Sequence, residues 1–593
     1  MMIRRSMNLS VAIILLGLLT SSALGQSMPH TFTANTPAKA SEVNANFTYL
    51  LERFGGIRET TVKCGTSGTG SGINSAIQNG YNSIVINGIC KENIIYDARD
   101  TFTPRVLRLR GANNDSTMDK IVDNSSYEKT VLTAWYTGMI LIVDNLTISG
   151  GDRGIASWSN NTLVLRNIKV EGYKNFGLTI GGSSVLDGKN LIVDGSYSSA
   201  SSSEKGFALG RDGVAYLENL TITNNQDKGL ELYNAQIELL GTNVFTGNGT
   251  GINVGSGSFL VTSGSTSISN SLDYGIRVDQ GMMKSWTGSI TINTTASGEA
   301  LRAYQSNINI KGLTATGDGT SVNNLITLDD CVSDLRNLNL SNSGESGLKL
   351  NNSESYIDNL TSKNNTENGI NAWRSKIKLK NSKVSGNKDD GINISSGSLF
   401  TVESSTISSN GDTGLSAFMN SNLRLKKSSV TANTNKAIRF GEGSYLEVSE
   451  STVTGASGKV AINGNDDAVL KIGEDSGSTV ISTTNNSAVS LNYLSSGQIR
   501  SGVEVSSTGG TSSTGVCISR GSLINIESGA SISGDSFASS IFSDMDSKVD
   551  IEYGAVVASV KCGNDNQSMV ILNDSDGNYP STETASNCIS YKN

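Results

Sequence analysis

The stretch that decides the fold runs from Asn364 to Phe418: NNTENGINAWRSKIKLKNSKVSGNKDDGINISSGSLFTVESSTISSNGDTGLSAF. It states one pattern three times. A polar turn containing Asn leads into Gly-Ile or Gly-Leu, then a short alternating strand, a Ser/Asn turn, a second alternating strand and another Asn turn. The Gly-apolar pairs stand at Gly369-Ile370, Gly391-Ile392 and Gly414-Leu415, a period of 22 to 23 residues. A fixed period in this range marks stacked repeats rather than one globular core.

Working outward, the pair recurs upstream at Gly154-Ile155, Gly177-Leu178, Gly206-Phe207, Gly229-Leu230, Gly251-Ile252, Gly275-Ile276, Ala300-Leu301, Leu325-Ile326 and Gly347-Leu348. Downstream it degenerates through Ala437-Ile438, Ala461-Ile462, Ala488-Val489, Gly515-Val516 and Ser540-Ile541. Each unit carries apolar alternations such as Ile377/Leu379 and Leu423/Leu425, the two-residue period of a strand with one buried face. No unit holds an amphipathic stretch long enough for a helix, which excludes leucine-rich, ankyrin and helical repeats. Strands returning at this spacing without helices can only stack as a coil.

On these residues the chain resembles the right-handed parallel β-helix proteins, the pectate-lyase-like solenoids, over roughly residues 60 to 560. The resemblance implies an all-β solenoid of about 15–17 rungs of 22–25 residues. Because unrelated activities share that coil, it does not imply one function. The run INSAIQNGYNSIVINGICKENIIYDARDTFTPRVLRLRG also resembles the opening turn of such proteins: a short helix, a strand ending in Gly-x-Cys-x-Glu-Asn, then paired strands.

The expected organisation has five parts. Residues 1–25 read as a secretory signal peptide, with Arg4 and Arg5 ahead of an apolar Val11 to Leu19 and a small-residue Ala23-Leu24-Gly25 site. Residues 26–59 form an extension with an amphipathic helix, in which Val43, Phe47, Leu50, Phe54 and Ile57 repeat at 4-3-4-3 spacing. That helix either docks on the coil or builds a short trimeric coiled coil, so monomer and trimer both stand. Residues 60–112 are the N-terminal cap and first turn, 113–560 the parallel coil, and 561–593 a disulfide-closed C-terminal cap. Within the coil, residues 112–140 read as an irregular loop or an imperfect first turn. The protein is expected to be exported, periplasmic or extracellular, with no membrane span.

An exported chain permits disulfides. Cys64 and Cys90 are 26 residues apart at one end, and Cys562 and Cys588 are 26 apart at the other. They read as two local bridges pinning the caps, leaving Cys331 and Cys517 as buried thiols. With 46 Lys and Arg against 54 Asp and Glu, the net charge is −8, which disfavours nucleic acid and anionic membranes as partners.

The only histidine, His30, lies beside the signal segment. Ser-His-Asp and Cys-His sites are therefore excluded from the coil, as are the polygalacturonase-type and epimerase-type β-helix sites that need a His. Phosphate-binding loops, dinucleotide fingerprints and zinc spacings are absent. No cofactor and no metal is expected, except calcium if the protein is a lyase.

Aligning the units gives the positive signal. With the Gly-apolar pair as positions 0 and +1, alternation sends +1 and +3 inward and +2 and +4 outward. At +4, thirteen successive units place Trp158, Tyr233, Tyr304, Trp373 and Phe418 among small or polar residues. Aromatics are 6% of the chain, so about one was expected by composition. A file of outward rings suits sugar rings or an extended partner; rings supporting overlying turns would look the same. In its middle, successive units offer Arg277 with Asp279, Arg302 with Tyr304, and Asp329 with Asp330. Asp279 and Asp329, two rungs apart, lie roughly 9–10 Å apart by backbone spacing. Tilted side chains would fall within the roughly 6.5–9.5 Å of an inverting glycoside hydrolase. Arg302 would then grip an anionic sugar; in an elimination, Arg302 or Tyr304 would be the base and the carboxylates calcium ligands. A solvated salt-bridge patch is the plain alternative.

Three functions remain open on the sequence: a non-catalytic binding or structural solenoid engaging a polysaccharide or cell-surface glycan through Trp158, Tyr233, Trp373, Phe418 and Arg277; a polysaccharide hydrolase or lyase using Asp279, Asp329, Tyr304 and Arg302; or a trimeric adhesin or spike-like protein.

Overall fold

The computed structural model describes residues 57–592 apart from short segments at 98–104, 197–202, 295–297, 321–322, 474–476, 511–512, 536–538, 564–567 and 574–588. The expected signal segment, the expected amphipathic helix ahead of Ile57, and Cys588 lie outside the described residues.

The chain winds into a parallel solenoid with two ladders. One sheet takes a short strand from each turn, such as Ile370–Trp373, Ile392–Ser395 and Leu415–Ala417. The other takes a ten-residue strand such as Glu354–Lys363, or two shorter ones such as Lys376–Lys380 and Lys383–Ser385. Every paired strand is parallel to its counterpart one turn later, as in Ile370 opposite Ile392 and Ile392 opposite Leu415. Among the described residues the first ladder holds twenty strands, more than the 15–17 rungs expected. The difference lies mostly at the N-terminal end. Ile94–Tyr96 pairs with Thr130–Ala134, and Lys120–Val122 pairs with the strand Ile140–Ser149, so residues expected as an irregular lead-in already belong to the coil.

The core is a narrow column of side chains from both ladders. Position +1 supplies Ile370, Ile392 and Leu415, and the second ladder supplies Phe400, Val402 and Leu423, all fully buried. One helix, Ile73–Gln78, covers the first turn with Ile73, Ala76 and Ile77. Glu92, the acid of the Gly-x-Cys-x-Glu-Asn phrase, accepts hydrogen bonds from the backbone N–H groups of Gly72, Ile73 (2.8 Å) and Asn74 (3.0 Å), which satisfies the orphan donors of that helix start. Cys64 and Cys90 form a disulfide between adjacent strands at this end. Cys562 is also disulfide-bonded, and its expected partner, Cys588, lies outside the described residues. Cys331 and Cys517 are free thiols.

The Asn residues ahead of each Gly-apolar pair do two jobs in adjacent columns. Asn224, Asn270, Asn342 and Asn364 have φ between 55° and 60°, the left-handed conformation that Asn tolerates at turns. Their neighbours turn inward. Asn365 gives its backbone N–H (3.2 Å) and Nδ2 (2.8 Å) to Oδ1 of Asn387; Asn387 does the same to Asn410 (3.2 and 2.9 Å), and Asn410 to Asn433 (3.1 and 2.9 Å). Asn225 and Asn248 form an earlier step of the same kind. This buried ladder accounts for the glycines: a Cβ at Gly369 would meet Asn387 Nδ2 at 2.7 Å and Val384 at 2.3 Å, and one at Gly414 would meet Asn433 Nδ2 at 2.6 Å.

Candidate functional site

The short-strand ladder fixes the outward columns. Asp279 is opposite Tyr304, Tyr304 opposite Asp329, Asp329 opposite Asn351, and Asn351 opposite Trp373. The +4 column is therefore one line across five successive turns, and the register holds at Leu325-Ile326 where the glycine is missing. Rungs are about 4.8 Å apart, so Tyr304 and Trp373 lie about 14 Å apart along it. Tyr233 is 64% exposed, Tyr304 42% and Trp373 38%.

The five rings are not equivalent. Arg153 and Arg211 lie 5.9 and 5.8 Å from the Trp158 ring, Arg374 lies 4.0 Å from that of Trp373, and Arg439 lies 4.9 Å from that of Phe418. Three of the rings thus carry guanidinium groups in cation–π contact, and Trp158 and Phe418 are only half-exposed. Tyr233 and Tyr304 carry no such guanidinium partner among the described residues.

An open cleft of about 620 Å³ lies in this column, lined by Arg302, Tyr304, Asp329, Asp330, Lys349, Asn351, Asn352 and Trp373. Four sequence-selected residues meet there: Arg302, Tyr304 and Asp329 of the candidate catalytic set and Trp373 of the candidate binding set. Asp279 and Arg277 are not part of its lining; they pair with each other at 2.6 Å one turn earlier. Tyr233, Trp158 and Phe418 lie on other turns.

Within the cleft Arg302 is committed to acids: Nη2 lies 3.3 Å from Asp329 Oδ2 and Nη1 3.6 Å from Glu299 Oε2. Asp329 also accepts a hydrogen bond from Asn351 Nδ2 (2.5 Å), and Asp330 one from Asn352 Nδ2 (2.6 Å). Lys349, by contrast, is in ion-pair contact with no described carboxylate and acts on Glu299 only through space.

Glu299 is the residue that column reading missed. It stands at position −1, one place before the Ala300-Leu301 pair, and is 6% exposed. Its Oε1 accepts from Thr327 Oγ1 at 2.8 Å, while its Oε2 has no hydrogen-bond donor. Burial holds its carboxyl above the ordinary value, opposed by the Thr327 hydrogen bond and the charge of Arg302. The free thiol of Cys331, just behind Asp329 and Asp330, is pushed up to about 11 by burial and is inert as a nucleophile at neutral pH.

A family sequence model described as "Right handed beta helix region" matches residues 323–492. The chain is a right-handed parallel β-helix. No curated protein matches it. Among solved structures, it is similar to the Azotobacter vinelandii mannuronan C-5 epimerase AlgE4 A-module at 12% identity, covering 59% of this chain and 89% of that one, with a TM-score of 0.29. It is similar to the N-terminal fragment of bacteriophage phi29 gene product 12 at 14% identity, covering 90% and 92%, with a TM-score of 0.31. The periplasmic alginate epimerase AlgG matches at 12% identity over 58% and 76%, with a TM-score of 0.21. Likenesses this distant assign no activity to the chain. No described helix is long and apolar enough to cross a membrane.

Proposed function

We propose that this protein is an exported glycan-binding solenoid whose cleft between Tyr304 and Trp373 receives a segment of an acidic polysaccharide. The observation that carries the reading is Lys349, a cation without an acidic partner among the described residues, in a cleft walled by two exposed rings. Arg302 is held in place by Asp329 and Glu299 and presents its remaining N–H groups beside it. Rings supply stacking area and the cation selects a uronate carboxylate, the division of labour expected of a sugar site. Tyr233 extends the surface on an earlier turn. Export and the disulfides fit an oxidising compartment.

The test is affinity electrophoresis and calorimetry of the mature protein against polyuronates and neutral glucans. Polyuronates should bind more tightly than neutral chains, Lys349→Gln should weaken them about tenfold, a loss of roughly 1.4 kcal/mol, and Tyr304→Ala should weaken both classes. Absence of polyuronate binding, or binding indifferent to both substitutions, refutes the reading.

A second reading is favoured by Glu299. A buried carboxyl held above its ordinary value beside a cleft is suited to general-acid work, with Asp329 or Asp279 activating water, so a polysaccharide hydrolase or lyase is the alternative. Reducing ends or unsaturated products from the same panel, abolished in Glu299→Gln and in Asp329→Asn, would establish it. Their absence across the panel leaves the binding protein.

A further inference from the structure

At the opposite end of the same short strands, from the turns of Lys349 and Trp373 onward, acids accumulate before the Gly-apolar pairs. Glu345, Glu367, Asp389 and Asp412 follow one another at one-turn steps, tied by backbone hydrogen bonds from Glu367 N to Glu345 O (3.1 Å), Asp389 N to Glu367 O (3.3 Å) and Asp412 N to Asp389 O (3.2 Å). Asp390 lies buried behind them, 7% exposed. Carboxylate oxygens of Asp389, Asp390 and Asp412 all lie within 4.8 Å of one another. None of these acids makes an ion pair with a described residue. Lys349 acts on Glu367, and Lys436 on Asp412, only through space.

A second observation, independent of the acids, concerns Asn368. It occupies the ladder position of Asp390 one turn earlier, as shown by Ile370 opposite Ile392 and by Gly369 N donating to Asp390 O at 3.1 Å. Parallel register sends both side chains the same way. The Asn368 side chain is 4% exposed, and its Oδ1 has no hydrogen-bond partner. A buried amide oxygen left bare costs roughly 1–3 kcal/mol, and this one stands one turn before Asp390 in the same column.

We propose that Asp389, Asp390 and Asp412, with the amide oxygen of Asn368, bind a hard divalent cation of the calcium type. Oxygen-only donors from carboxylates and an amide, with Asp389 exposed to water, match the many-oxygen, irregular coordination calcium accepts and magnesium resists. Other contacts already orient the carboxylates: Asp390 Oδ1 accepts from Thr413 N (2.9 Å), and Asp412 Oδ1 accepts from Asn435 Nδ2 (2.8 Å). A bound ion would tie together three turns of the coil at a place where like charges otherwise repel. The site shares no residue with the glycan cleft and stands or falls separately from it.

Calcium chloride titrated by calorimetry into the EDTA-treated full-length mature protein should give saturable binding with a dissociation constant of about 10⁻⁴ M, magnesium binding more weakly. Calcium should also raise the melting temperature of the wild type. Asp389→Asn, a surface change that the fold tolerates, should weaken calcium at least tenfold, and Asp412→Asn and Asn368→Ala should remove most of the melting shift. Absence of saturable calcium binding at millimolar concentration overturns the assignment, and so does unchanged affinity in both Asp389→Asn and Asp412→Asn.

Discussion

Replacing Asn387 by Ala should open the coil locally at a cost set by the buried amide ladder. The substitution removes the acceptor of two donors, the backbone N–H and Nδ2 of Asn365, which is 0% exposed and has no water to turn to. It also removes the Nδ2 bond to Asn410. The Asn365 backbone N–H is orphaned at roughly 1–3 kcal/mol, while its Nδ2 keeps Ser362 Oγ at 3.1 Å; with two net hydrogen bonds lost at about 1 kcal/mol each, the loss comes to about 3–5 kcal/mol. Asn433 provides the internal control. Its Oδ1 accepts the same two bonds from Asn410, but its own Nδ2 is already without a partner. Asn433→Ala should therefore cost less, by about 1–3 kcal/mol. A solenoid need not unfold in one step, so the measurement is amide hydrogen exchange in the strands Ile370–Trp373, Ile392–Ser395 and Leu415–Ala417 rather than a global melt. A loss below about 1 kcal/mol for Asn387→Ala, or an equal or larger loss for Asn433→Ala, would refute the claim that the ladder holds the turns together.

Gly369→Ala should destabilise the same region by about 1–3 kcal/mol, since its Cβ would press on Val384 and Asn387; urea denaturation followed by circular dichroism would show it. Glu204 is 0% exposed and its Oε1 has no partner, so burial pushes its carboxyl up to about 8 from an unfolded value of 4.5. Between those values the native state keeps a proton that the unfolded state releases, so stability falls as pH rises from 4.5 to 8 and stays low above. Glu204→Gln should consequently be the more stable protein at pH 8, on the order of 4 kcal/mol, and match the wild type near pH 4.5 in parallel thermal melts. The Lys349→Gln and Tyr304→Ala binding losses and the calcium titration complete the set.

The repeat was legible because a coil converts sequence spacing into spatial adjacency. Reading every twenty-odd residues placed Asp279, Tyr304, Asp329 and Trp373 in one line, and the ladder keeps them there even where Leu325 replaces glycine. The alternation likewise put Tyr233, Tyr304 and Trp373 outside. What spacing does not carry is lateral reach. Arg374 and Arg439 swing onto Trp373 and Phe418 from other columns, and Arg277 folds onto Asp279 instead of into the cleft. Glu299 and Asp390 escaped because only positions +1 to +4 were followed from turn to turn, whereas position −1, the first strand residue at Glu299, is also buried. Reading that column as well would have set Glu299, Asn368 and Asp390 side by side with their neighbours. The early turns were undercounted because the stretch from Ala112 to Ile140 lacks the Gly-apolar signature while still pairing through Lys120–Val122 and Thr130–Ala134.

The amide ladder links residues 22 or 23 positions apart, and each link is satisfied by any identical unit placed next in line. Genetic duplication or loss of one whole unit would rejoin the chain with every amide still facing an amide, whereas an indel of half a unit would set Asn against Gly or Val. The gene can therefore change the length of the rod by recombination between its own repeats, one coil at a time, and the span of surface offered to a polymer becomes a quantity that evolution adjusts in steps of about 4.8 Å.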